Sequence, residues 1–167
     1  MPTAETLQRV SERFGADTFA VTTFRDDTRL LCPPSRISEL LQFLRSEAGF
    51  DLLVDITAVD YSEYGDAQDR YGVIYCMANT TTAERLVVRV PLNDPDPTLP
   101  SAVGIWSGAN WLEREVFDMF GIRFDGHPDL RRILLPEEFA AFPLRKDYPL
   151  RGRGERHNFP VLTRAES

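Results

Sequence analysis

At 167 residues, 43% hydrophobic and 27% charged, the chain has the length of about one domain and enough apolar material for a single core. Its net charge of −7 argues against nucleic acid or an anionic membrane surface as the main partner. No window approaches the ~20 consecutive apolar residues of a membrane span. The N-terminus lacks a basic region followed by an apolar run, so the expectation is a soluble, cytoplasmic chain without a secretory leader.

In chain order, Leu7, Val10 and Phe14 recur at i, i+3 and i+7 and predict a short helix ending at Gly15. Thr18 to Arg25 is rich in β-formers, Asp26-Asp27 is a turn signal, and Thr28 to Cys32 predicts the returning strand. Pro33-Pro34-Ser35 opens a helix with Ile37, Leu40, Leu41 and Leu44 as its apolar stripe and Gly49 after its end. Leu52 to Val59 reads as a central strand, and Tyr61 to Asp69 as a polar loop. Tyr71 to Ala78 and Ala83 to Leu92 read as a hairpin turning across Asn79 to Thr82. Asn93 to Pro100, rich in proline and aspartate, reads as a linker. The order α-β-β-α-β-β-β with consecutive strands predicts an α+β two-layer sandwich with a mixed sheet rather than a doubly wound fold.

Motifs for dinucleotide and phosphate loops are absent. Cys32 and Cys76 are isolated, so a cysteine-ligated zinc or iron–sulfur site within the chain is not expected, and two histidines leave little material for a metal centre.

The segment from Asn110 to Leu150 stands apart. Asn110 reads as an N-cap with Glu113 reaching back in a capping box, and Gly121 as a left-handed helix end. Leu112, Val116, Phe117, Met119 and Phe120 form the side that should pack on the body. Glu115 and Asp118 share a face, and Arg114 can pair with Asp118. Three readings follow from this spacing: a solvated face with an ion pair worth a few tenths of a kcal/mol, an acid/base pair from Glu115 and Asp118 with His127, or a charged docking surface.

Beyond Gly121, Pro128, Pro136, Pro143, Pro149 and Pro160 arrive every 6 to 11 residues and interrupt any helix. Short apolar clusters (Ile133 to Leu135, Phe139 with Phe142, Tyr148 with Leu150) alternate with Arg131-Arg132 and Arg145-Lys146-Asp147. Residues 120–167 carry 9 basic and 7 acidic groups, against 10 and 19 in residues 1–119. The chain therefore divides into a body, residues 1–121, ending in the charged helix, and an extended arm, residues 122–167. Such an arm has too few apolar contacts to offset its ordering entropy unaided, and must wrap either its own body or a partner.

The run W-L-E-R-E-V-F-D-M-F-G-I-R-F-D-G-H-P-D-L-R-R-I-L, followed by F-P-L-R-K-D-Y-P-L, resembles the signature of the thirty-kilodalton subunit family (the C subunit) of NADH:quinone oxidoreductase, respiratory complex I. D-I-T-A-V-D-Y at Asp55 to Tyr61 also fits, so the resemblance spans nearly the whole chain. It implies a structural subunit of the hydrophilic arm of a proton-pumping complex, peripheral on the cytoplasmic side of the cell membrane. It implies no cofactor in this chain, with FMN and iron–sulfur clusters in partner subunits. The implied partners are chiefly the large quinone-site subunit and the iron–sulfur subunits, with no nucleic acid and no direct membrane span. Placed on the motif, the expected interface residues are Arg114, Glu115, Asp118, His127, Arg131, Arg132, Arg145, Lys146 and Asp147, with no catalytic, cofactor or metal residue. A related membrane-bound hydrogenase or ferredoxin-dependent photosynthetic-type complex shares this subunit. A stand-alone enzyme using Glu115, Asp118 and His127 is the distant alternative.

Overall fold

Ten helices and strands are arranged around one mixed sheet in the computed structural model, which describes residues 4–155 apart from Asp26. Pro160 and the first half of the Asp26-Asp27 turn signal lie outside the described residues. In order they are α1 (Ala4–Phe14), β1 (Ala20–Phe24), β2 (Asp27–Leu31), α2 (Ile37–Ser46), β3 (Leu52–Asp60), β4 (Tyr71–Ala78), β5 (Arg85–Leu92), β6 (Thr98–Pro100), α3 (Ala109–Phe120) and β7 (Arg123–Asp125).

The main sheet runs β1-β2-β5-β4-β3. Its β2–β5 pair is parallel and the other pairs are antiparallel. This order follows from one crossover. After β2 the chain turns through a 3-10 turn at Pro34–Arg36 into α2 and restarts at the far edge as β3. A meander through β4 and β5 then returns it beside β2, where the polypeptide directions agree. The sequence thus predicts the α+β class and the mixed sheet correctly. Asn79 shapes the β4–β5 turn: its Oδ1 accepts the N–H groups of Thr81 and Thr82 at 2.9 and 3.0 Å.

One sheet face is the core face. Ile56, Ala58, Val73, Tyr75, Met77, Leu86, Val88 and Val90 alternate along β3, β4 and β5 and are buried together with the α2 stripe. The stripe buries Ile37, Leu40, Leu41, Phe43 and Leu44, each contributing about 1.5–3 kcal/mol relative to exposure. α3 lies over β3 and adds Val116, Met119 and Phe120 to the same core.

Two local expectations differ from the structure. The supposed linker Asn93 to Pro100 ends in β6, which pairs in parallel with β7 after α3 intervenes. A three-residue strand bounded by prolines has no readable alternation, and its partner lies 25 residues away at Thr98↔Arg123. The division expected at 121/122 is crossed by this pair: Ile122 and Phe124 are buried in the main core. The second difference is the start of α3. Its N-cap is Gly108, without a side-chain cap, so Asn110 lies inside the helix. The turn ahead of it, with Trp106 N–H donating to the Ala102 carbonyl and Ala109 N–H to that of Trp106, winds the chain into the helix early.

Candidate functional site

α3 carries two buried carboxylates that act on different neighbours. Glu113 faces the core, fully buried, and accepts the Ala102 N–H at 2.6 Å and the Ser101 hydroxyl at 2.7 Å. The expected capping box is therefore replaced by an anchor that fixes the β6–α3 loop. Burial pushes its carboxyl up to about 7, against the two hydrogen bonds.

Asp118, also fully buried, holds the arm. Its Oδ2 accepts three successive backbone N–H groups, from Ile133 (3.0 Å), Leu134 (2.7 Å) and Leu135 (2.9 Å). Its Oδ1 accepts Arg132 Nη1 at 2.6 Å. Burial raises this carboxyl, but these donors outweigh it and hold it below the usual carboxylate range. Arg132 also reaches the Asp118 and Ala141 carbonyls and lies over the Phe142 and Phe139 rings.

Arg114 does not pair with Asp118. Its guanidinium donates to the carbonyls of Arg131 (3.1 Å) and Arg132 (3.2 Å) and stacks on Trp111. The arm's backbone offers both side chains several partners in a water-poor seam, which outcompetes a single i,i+4 pair. Glu115, expected to share the face of Asp118, is exposed to solvent. His127 Nδ1 accepts the Asp129 N–H at 3.0 Å, so Nε2 carries the proton and donates to the Asn110 carbonyl at 3.1 Å. With Glu115 exposed and Asp118 and His127 each bonded to different backbone groups, the three do not converge as an acid/base group.

The far end of the arm is pinned to the ends of β3 and β4. Leu144 N–H donates to the Met119 carbonyl, and Arg145 Nε to that of Phe120. The Arg145 guanidinium lies over Phe142 and Tyr71. Lys146 N–H donates to buried Asp60 at 2.9 Å, across 86 residues of sequence. Arg70 gathers Asp60, Asp94 and Asp147. Burial lowers the Arg70 pKa, while Asp147, Tyr71 and Asp94 raise it, with a net rise. Of the expected interface residues, Arg114, Asp118, Arg132 and Arg145 are thus bonded within the chain. Asp147 reaches Arg70 from an exposed position, and Glu115, Arg131 and Lys146 are exposed. The spacing assigns Glu113 a different partner and gives no role to Asp60 or Arg70. Their long-range partners, Lys146 for Asp60 and Asp147 for Arg70, are 86 and 77 residues away, and only the D-Y of the Asp55 to Tyr61 motif points to Asp60.

Three of the arm's leucines are left outside, while Arg132 and Arg145 are tied down within the chain. Leu134, Leu144 and Leu150 are 61%, 53% and 105% exposed, and Trp111 on α3 is 60% exposed. An ordered segment that is tied down by internal hydrogen bonds and presents leucines to solvent is suited to bind an apolar surface. Among the described residues, no cluster of three or more His, Cys, Asp or Glu side chains could hold a metal, and no helix is long and apolar enough to cross a membrane.

Residues 30–154 match the family described as "Respiratory-chain NADH dehydrogenase, 30 Kd subunit". The chain is similar to the NADH-quinone oxidoreductase C subunit of Trichlorobacter lovleyi, 43% identical over 152 residues that cover 91% of this chain and 93% of that protein. A solved trypsin-resistant fragment of Nqo5 matches with a TM-score of 0.69 and 35% identity, covering 75% of this chain and 99% of that chain. The fold is also similar to a chain of the membrane-bound sulfane sulfur reductase, an archaeal respiratory membrane complex: its TM-score is 0.76 at 23% identity, over 96% of this chain and 92% of that one. On this match and this identity, the chain belongs to the 30 Kd subunit family of the respiratory-chain NADH dehydrogenase.

Proposed function

We propose that this chain is a structural subunit of the hydrophilic arm of a proton-translocating NADH:quinone oxidoreductase, and that α3 and the arm dock on the large quinone-site subunit. The observation that carries this reading is how the arm is held: Arg132 and Arg145 turn inward to Asp118 and the Phe120 carbonyl, Asp60 accepts the Lys146 backbone N–H, and Leu134, Leu144 and Leu150 stay exposed, as does Trp111 on α3. An isolated protein gains nothing from holding leucines in water, whereas an ordered apolar clamp reduces the entropy lost on assembly. Arg131, Lys146 and Glu115 then form the polar rim rather than the centre of the interface.

In this reading the redox chemistry belongs to the partners. FMN and iron–sulfur clusters reside there, and this chain, peripheral on the cytoplasmic side of the membrane, positions the subunit that receives quinone. The isolation of Cys32 and Cys76 in sequence supports that division. A second reading, the equivalent subunit of a related membrane complex, draws on the fold similarity to the archaeal sulfane sulfur reductase chain. Co-purification of flavin- and NADH-binding subunits with this chain separates the two.

The test of docking is the double substitution Leu134→Asp and Leu144→Asp in the full-length chain. The isolated variant keeps the melting temperature of the parent within about 2 °C, because both positions are exposed. Its incorporation into the complex, read on a native gel, falls at least tenfold. Normal incorporation refutes docking through this face.

A further inference from the structure

The main sheet has a second face that no described helix shares. By register it consists of Thr22 on β1, Arg29 and Leu31 on β2, Arg85, Val87, Arg89 and Pro91 on β5, Gly72, Ile74, Cys76 and Ala78 on β4, and Asp55, Thr57 and Val59 on β3. Leu31, Val59, Ile74, Cys76 and Val87 are half-buried, yet none of them belongs to the core cluster or packs against it. This face is apolar around Ile74, Cys76 and Val87, with Arg85 and Arg89 on the central strand β5 to either side of Val87. Arg85 and Arg89 stand four residues apart on β5, about 13 Å along the strand. Neither forms an ion pair among the described residues.

Arg89 is held in place without a carboxylate. Its guanidinium lies over the Tyr61 ring at 4.7 Å, and its Nε is shielded from solvent beside Gly72. A Cβ at Gly72 would stand 2.8 Å from that Nε and 2.9 Å from the Tyr61 ring, so glycine leaves room for the stack. Asp55, an acidic position of the face, is on β3, two strands from β5. A sheet face with an apolar centre is normally covered by another layer. Two arginines at this separation reach carboxylates spaced seven or eight residues along a helix, a rise of about 10.5–12 Å, with the long guanidinium side chains taking up the difference.

We infer that the second sheet face, centred on Ile74, Cys76 and Val87 and flanked by Arg85 and Arg89, binds an amphipathic helix of a partner subunit whose apolar stripe is edged by glutamates or aspartates. This surface is separate from the outward leucines of the arm, and the inference rests on the reading of the chain as a subunit of a larger complex.

Cys76 supplies a probe at the centre of the face, and Cys32, fully buried with its thiol pushed up to about 12 by burial, is the silent control. Labelling with N-ethylmaleimide is followed by mass spectrometry in the isolated full-length chain, in the purified complex, and in complex assembled with Arg85→Glu. Cys76 reacts in the isolated chain and at least tenfold more slowly in the complex. R85E either restores its reactivity in the complex or drops out of the complex while melting like the parent in isolation, and R85Q gives an intermediate result. Four results overturn the inference: protection already present in the isolated monomer, protection that follows dimerisation of this chain, equal reactivity in the complex, and protection in the complex that R85E and R85Q leave unchanged. Absence of the parent chain from the complex, read by mass, overturns the subunit reading as well. Its presence with a reactive Cys76 overturns this inference alone.

Discussion

Replacing Asp118 with alanine should free the arm from α3 while the sheet stays folded. The carboxylate accepts three backbone N–H groups and one guanidinium, all within 3.0 Å, from a position with no solvent exposure. Removing one partner of a buried charged pair costs about 3–5 kcal/mol. The arm residues that lose their acceptor are half-exposed or exposed, so water recovers part of this, and the lower end, about 3 kcal/mol, is expected. That corresponds to an arm-opening constant raised about 100-fold. Asp118→Asn keeps an acceptor oxygen for the N–H groups but sets an amide against Arg132, and should cost about 2 kcal/mol. The assay is hydrogen exchange at the Ile133, Leu134 and Leu135 amides, with trypsin cleavage after Arg131 and Arg132 as a second readout. Because the carboxyl is held below its ordinary value of 3.8, its contribution is fully present above that value and is lost as pH falls through the lower folded pKa. Acid should therefore open the arm of the parent and change the D118N arm less. Exchange and cleavage in D118A within threefold of the parent would refute the assignment of Asp118 as the arm's anchor.

Two other perturbations test the packing around α3. Glu113 has a folded pKa raised to about 7, so the folded state binds the extra proton between roughly pH 4.5 and 7, and stability falls as pH rises through that window. Glu113→Gln should flatten this dependence in urea titrations and match or exceed the parent at pH 8, whereas an unchanged pH profile would remove Glu113 as its source. Gly121 closes α3 at φ +73°, and a Cβ there would meet the Phe142 ring at 2.6 Å and the Arg145 guanidinium at 2.8 Å. Gly121→Ala should cost about 2–3 kcal/mol in urea unfolding, with faster trypsin cleavage in the arm, and a loss below about 0.5 kcal/mol would contradict the crowding.

What the sequence determined by itself is the local architecture and the family. The α2 stripe, the alternation along β4 and β5 and the left-handed stop at Gly121 each depend on residues within a few positions of one another, and each stands in the structure as the spacing predicts. The helix and arm motif identified the family because its many ordered residues make a composite pattern. Partner choice among charges was decided only by tertiary structure. Arg114 and Asp118 are correctly spaced for a pair, and Asn110 and Glu113 for a capping box, but Arg114, Asp118 and Glu113 found better-shielded partners elsewhere along the chain. Nothing in the sequence marks Asp60 as the acceptor for Lys146, 86 residues later, or tells which way the arm turns its leucines. Short-range spacing fixes helices and strands because backbone hydrogen bonding is local. The strength of a charged contact depends on how well neighbouring elements exclude water from it, and that is settled only when the arm lies down on α3.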